Sequence, residues 1–93
     1  MSTAASPLIR LHEHDNVLVA RRLIGLGETL APFGLRTRAQ VPAGHKIAAR
    51  AIAAGETILT YDTPIGVASR DIEAGEHVHT HNVRHEERAP VPE

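Results

Sequence analysis

Histidine is the residue through which this chain is best equipped to do chemistry. Seven occur among 93 residues, with no cysteine beside them. Three lie two apart in Gly75-Glu76-His77-Val78-His79-Thr80-His81-Asn82. On a strand such residues share a face, so His77, His79 and His81 line one side while Val78 and Thr80 point the other way. Neighbouring pairs then sit about 6.6 Å apart and can converge on one ion, whereas His77 and His81, about 13 Å apart, should not share one. A mononuclear site needs a further ligand, and the candidates are His45 or the two-apart pair His12 and His14. The competing reading is a solvated polar face on an edge strand.

A second constellation is Pro42-Ala43-Gly44-His45-Lys46, which contains the only lysine in the chain. An imidazole and an ammonium together at a tight turn suit an anionic or carboxylate-bearing ligand; the bland alternative is drift at an exposed turn. Leu11-His12-Glu13-His14-Asp15-Asn16-Val17 ends in two favoured turn residues. A turn at Asp15-Asn16 is expected there, with His14 facing a pocket beside it. No Gly-x-Ser-x-Gly, Walker loop, His-Glu-x-x-His or cysteine nucleophile is present. The carboxylates form no dedicated acid/base pair, and a complete independent enzyme is not expected.

The elements that must position these residues come from an internal repeat. Ala48-Ala49-Arg50-Ala51-Ile52-Ala53-Ala54-Gly55-Glu56-Thr57-Ile58 aligns with Ala68-Ser69-Arg70-Asp71-Ile72-Glu73-Ala74-Gly75-Glu76-His77-Val78. Residues 20–30 form a third copy through Arg22, Ile24, Gly27, Glu28 and Leu30, and Val41-Pro42-Ala43-Gly44-His45-Lys46-Ile47 a shorter fourth. In the fourth, His45 takes the slot of Glu28, Glu56 and Glu76. The unit reads as a strand, a tight turn whose glycine supplies positive φ, and a strand leaving. The prediction is a mostly β domain of about seven short strands in pseudo-symmetric hairpins, with at most one or two short helical turns, the stretch 48–53 being able to make one. A polar leader over residues 1–7, a folded body over 8–83 and a charged, proline-bearing tail over 84–93 complete the division.

Composition narrows the function classes. Ten Lys and Arg against eleven Asp and Glu give a net charge of −1, too little basic excess to hold a nucleic-acid backbone. Phe33 and Tyr61, the only aromatics, make no stacking platform for single strands. Without cysteine there is no disulfide or thiolate metal site. No window approaches the roughly 18 apolar residues of a membrane span, and the leader lacks an export pattern, so a soluble cytoplasmic protein is expected.

Taken together, Asp15-Asn16-Val17, Pro42-x-Gly44-His45-Lys46-Ile47-Ala48, Tyr61-Asp62-x-Pro64-Ile65-Gly66-x-Ala68 and Ile72-x-Ala74-Gly75-Glu76-His77-Val78-His79-Thr80-His81-Asn82 resemble the N-terminal SAF domain of the altronate and galactarate dehydratase family. They are also similar to the separately encoded small subunit of sulfolactate sulfo-lyase. The resemblance covers about residues 9–83. It implies a β-clip fold and a role as the small component of a lyase, with a divalent metal, usually iron, held largely by a large dehydratase subunit. His45, His79 and His81 match motif positions and are candidates for ligation or proton transfer, with His77 a further ligand. Lys46, Asn82 and His14 are candidates for substrate positioning.

Three functions are expected on this basis. The leading one is the small subunit of a hydro-lyase dehydrating a sugar acid such as altronate, dependent on a partner chain and compatible with homo-oligomerisation. The second changes the leaving group to sulfite. A third is a non-enzymatic binding module in which the histidines are a solvated face.

Overall fold

A computed structural model of the chain describes residues 7–30 and 33–85. Among them are nine short strands and no helix. A four-stranded antiparallel sheet runs in the order β1 (Leu8–Ile9), β2 (Val17–Ala20), β5 (Lys46–Ala48), β8 (His77–Val78). A second sheet joins β6 (Thr57–Thr60), β7 (Thr63–Ala68) and β9 (Val83–Arg84), and a third is the hairpin of β3 (Thr29–Leu30) and β4 (Leu35–Arg36). The mostly β expectation holds, with nine strands in place of about seven. The helical turn that the stretch 48–53 is able to make is absent: Ala48 ends β5, and Ile52 bridges to Ile72. Pairing of apolar side chains at those positions outweighs the helix preference of the intervening alanines.

Side chains alternate across the central sheet and separate two cores. Leu18 and Ile47 face one core with Leu8, Ala20, Ile24, Leu30, Leu35 and Val41. Their neighbours Val17 and Ala48 face the other, with Ile52, Ile58, Ala68, Ile72 and Val78. Successive residues of β2 and β5 are thus buried on both faces, which is why these short strands carry unbroken apolar runs.

The repeats account for the turns. Amides of His45, Glu56 and Glu76 donate to the carbonyls of Pro42, Ala53 and Glu73, and the glycines at the third turn position have φ of 85°, 87° and 87°. That is the geometry a type II turn demands. These turns do not close the expected hairpins, however: the units pair with one another. Gly55 N–H donates to Ala68 and Gly75 N–H to Ala48, while Ala68 and Ala48 return N–H bonds to the carbonyls of Glu56 and Glu76. Ala20 and the fourth copy repeat the exchange, Gly44 N–H to Ala20 and Ala20 N–H to His45. The bridges Ile24 to Val41 and Ile52 to Ile72 lie in the same two junctions.

Arg84 pairs with Val67 in β9, and the carbonyl of Pro7 accepts the Arg21 amide. The rest of the expected leader and most of the tail lie outside the described residues.

Candidate metal and substrate site

Three of the four repeat turns share a clamp. Glu28, Glu56 and Glu76 each accept the N–H of the residue three before, Gly25, Ala53 and Glu73. Each also pairs with the arginine six before, Arg22, Arg50 and Arg70. At Glu56 the Arg50 guanidinium and the Ala53 amide hold the carboxyl below its ordinary pKa. At Glu76 burial opposes ionisation, but the Glu73 amide and Arg70 outweigh it and the pKa is again lowered. The fourth turn has Ala39 in the arginine's place and His45 in the glutamate's, so its side chain is released from the clamp.

Pairing of β5 with β8 sets Lys46 opposite Val78 and Ile47 opposite His77, and His45 lies just before this ladder. His45 Nδ1 is 3.0 Å from His77 Nε2, and the His45 and His79 rings stack with centroids 4.3 Å apart. One ligand nitrogen from each of His45, His77 and His79 lies within 4.8 Å of the others. Two ligands at about 2.0–2.1 Å from a tetrahedral ion are roughly 3.3 Å apart, so the 3.0 Å pair needs only a few tenths of an ångström to accept one. Three imidazoles suit zinc, copper, iron or nickel and not the oxygen-seeking calcium or magnesium. Burial, followed by the neighbouring His81, His45 and His79, lowers the His77 pKa. That keeps His77 in the neutral form that donates a lone pair.

The expected 13 Å separation of His77 and His81 is corrected. Strand pairing stops at Val78, and a turn in which Asn82 N–H donates to the His79 carbonyl folds the chain back. The His81 ring then stands 5.3 Å from that of His77, beside the triad. Asn82 is fully buried. Its Oδ1 accepts the His79 N–H and its Nδ2 donates to the His77 carbonyl. Both polar ends are therefore engaged with backbone and hold the histidine turn in shape.

Lys46 lies beside the histidine turn. With His79, Thr80 and His85 it lines an open cleft of about 400 Å³ whose apolar wall is Ile65, Val78 and Val83. An ammonium and imidazoles over an apolar floor suit a small carboxylate-bearing molecule.

His12 and His14 are not ligands of this triad. They precede β2, whereas His45 bonds to Ala20 at its far end. His14 meets Asp62 instead, a residue whose function the sequence did not reveal. Nor do Asp15 and Asn16 form the expected turn, which is His12 to Asp15. Both are buried and tie down the β6–β7 hairpin: Asp15 accepts the Tyr61 and Asp62 amides, and Asn16 bonds to Thr57 and Leu59.

Comparison with known proteins draws on these same residues. Residues 6–86 match the family model of the altronate/galactarate dehydratase SAF domain. The chain belongs to this family. It is 44% identical over 78 residues to the altronate dehydratase of Bacillus subtilis, covering 82% of this chain and 16% of that enzyme. The Escherichia coli altronate dehydratase is 41% identical with the same coverage. The (2R)-sulfolactate sulfo-lyase subunit alpha of Paracoccus pantotrophus is 46% identical over 52 residues, 56% of this chain and 78% of that subunit. The chain thus spans about one sixth of the altronate dehydratases it matches. As a SAF domain it contains, in its described residues, no helix long and apolar enough to cross a membrane.

Proposed function

We propose that this SAF domain is the small component of a carbon–oxygen lyase that dehydrates a sugar acid such as altronate, acting with a separate large subunit. The observation that carries the reading is the His45–His77–His79 cluster bordering a cleft that also presents Lys46. Elimination of water β to a carboxylate needs a base for the α-proton, stabilisation of the charge that develops on the carboxylate, and an acid for the leaving hydroxyl. His45, His77 and His79 hold a divalent cation, iron in the favoured case. The chemistry supplied by such an ion is Lewis-acid stabilisation of that developing charge. Lys46 attracts the substrate carboxylate over the apolar wall. His81, exposed beside His77, holds or moves a proton at its ring nitrogens. The cleft is open, so the large subunit completes the enclosure and contributes the remaining polar groups.

A second reading changes the leaving group to sulfite, and the coverage of 78% of a sulfo-lyase alpha subunit favours it. Affinity purification of the tagged chain from its own cells should bring down a large dehydratase-like polypeptide. Assay of that complex with altronate and with sulfolactate then decides between the two. Turnover of neither, or no copurifying chain, contradicts both.

A further inference from the structure

At the opposite end of β2 from the His45 cluster, a second set of donors converges. His14 Nδ1 is 3.3 Å from one carboxylate oxygen of Asp62, and His12 Nε2 is 3.8 Å from the other. The two imidazole rings are 4.9 Å apart, and one ligand atom from each of the three residues lies within 4.8 Å of the rest. We propose that His12, His14 and Asp62 form a second, independent site for a borderline divalent metal such as zinc, cobalt or nickel.

Two observations support this beyond proximity. First, the separations of 3.3 and 3.8 Å lie at and within about half an ångström of the roughly 3.3 Å between ligands on a tetrahedral ion, and two imidazoles with one carboxylate leave a position open to solvent or a small anion. Second, Asp62 is held in place at a cost. Tyr61 and Asp62 are the two-residue loop between β6 and β7, with φ of 55° and 58°, a turn for which Asn-Gly is the favoured pair. Non-glycine residues in this region persist when surroundings over-determine them, and they concentrate at ligand clamps. Here the buried Asp15 carboxylate over-determines the loop by accepting both its amides, at 2.7 and 2.8 Å. Asp15 is thereby committed to backbone, while Asp62 is left to face the imidazoles.

The metal-free arrangement has a definite proton pattern. His12 Nδ1 accepts the His14 N–H at 3.1 Å, so the His12 proton sits on Nε2, facing Asp62. Metal binding at Nε2 moves that one proton to Nδ1, which can then no longer accept, and releases the exposed His14 amide to water. Glu13, 3.7 Å from His14 Nε2, is a further carboxylate beside the cluster. Bound metal ties residues 12–14 to the tip of the β6–β7 hairpin, so binding raises the unfolding temperature by mass action.

The test is calorimetric titration of the metal-free 93-residue chain with Zn²⁺, alongside thermal unfolding at saturating zinc and Co²⁺ absorption. Asp62→Asn keeps the loop, since asparagine tolerates positive φ well. It should abolish one binding event, or weaken it by more than the roughly 10–100-fold that loss of an outer-shell partner causes. His14→Ala should do the same, and both should reduce the zinc-induced rise in melting temperature. His79→Ala should leave this event intact while removing the one ascribed to the other cluster, so failure of either site is seen separately. Zinc stoichiometry, affinity and thermal shift unchanged in both Asp62→Asn and His14→Ala would overturn the proposal.

Discussion

At the scale of single residues, the chemistry depends on side chains that touch no ligand. Asn82 fixes His77 and His79 through their backbone groups while fully buried. Asn82→Ala removes the bonds to the His79 amide and the His77 carbonyl, each worth about 0.5–1.5 kcal/mol. Urea unfolding should show a loss in that range or above, and zinc titration should show weakened binding at the histidine triad. Asp15 plays the equivalent part at the other end. Burial opposes its ionisation, yet the amides of Asp62 and Tyr61 outweigh burial and lower its pKa from 3.8. The unfolded chain therefore takes up the proton first as pH falls. The stability Asp15 contributes is complete above pH 3.8 and is lost as pH drops below it toward the folded-state value. Asp15→Asn should cost about 1–3 kcal/mol at pH 7, and its deficit against wild type should shrink at pH 3, measured by urea unfolding at both. The sequence pointed to Asp15, Asn16 and Asn82 as polar residues worth explaining. It did not show that they bind backbone, because partners 41 to 47 residues away for Asp15 and Asn16 are set by tertiary contact alone.

At the scale of elements, the repeat is what the sequence made most legible. Its glycines fall where positive φ is required, and the exchange of Glu for His45 marks the turn that faces the site. How the units pair was not legible, since apolar-x-x-Gly-x-x-apolar is equally consistent with a hairpin and with two turns exchanging partners. Strands of two residues, such as β8 and β9, lie below the length at which alternation can be recognised. Extending His77–Val78 through His81 as one strand produced the mistaken 13 Å estimate. The repeat glycines nonetheless differ in burden. Gly55 and Gly75 have the same φ of 87°, but a β-carbon at Gly55 meets open space, whereas at Gly75 it overlaps the Arg36 carbonyl. Gly55→Ala should cost about 1–2 kcal/mol, the left-handed penalty alone. Gly75→Ala must also displace the strand β4 backbone and should lower the melting temperature well beyond Gly55→Ala in paired thermal unfolding.

At the scale of the whole molecule, two aliphatic cores on either side of one sheet leave no enclosed active site among the described residues. They leave an open cleft whose floor is apolar and whose rim carries Lys46, His79 and His85. Composition had foreshadowed this: a chain of 93 residues with two aromatics has little bulk with which to surround a substrate. The family match explains the same fact from the other side, for the chain corresponds to 16% of an altronate dehydratase and to 78% of a sulfo-lyase alpha subunit. The histidine turn and the His45 turn were readable as separate motifs, but only β5–β8 pairing brings them to one point. The central claim is that this point completes a lyase supplied by another chain. It is tested most directly by reconstituting the large subunit with wild-type chain, with His45→Ala, with His79→Ala and with no chain, and following altronate dehydration under saturating metal. The account predicts turnover with wild type and a loss of at least about 100-fold with either variant or without the chain, the lower range for a missing acid–base group. Full turnover by the large subunit alone, or with the two variants, would contradict it.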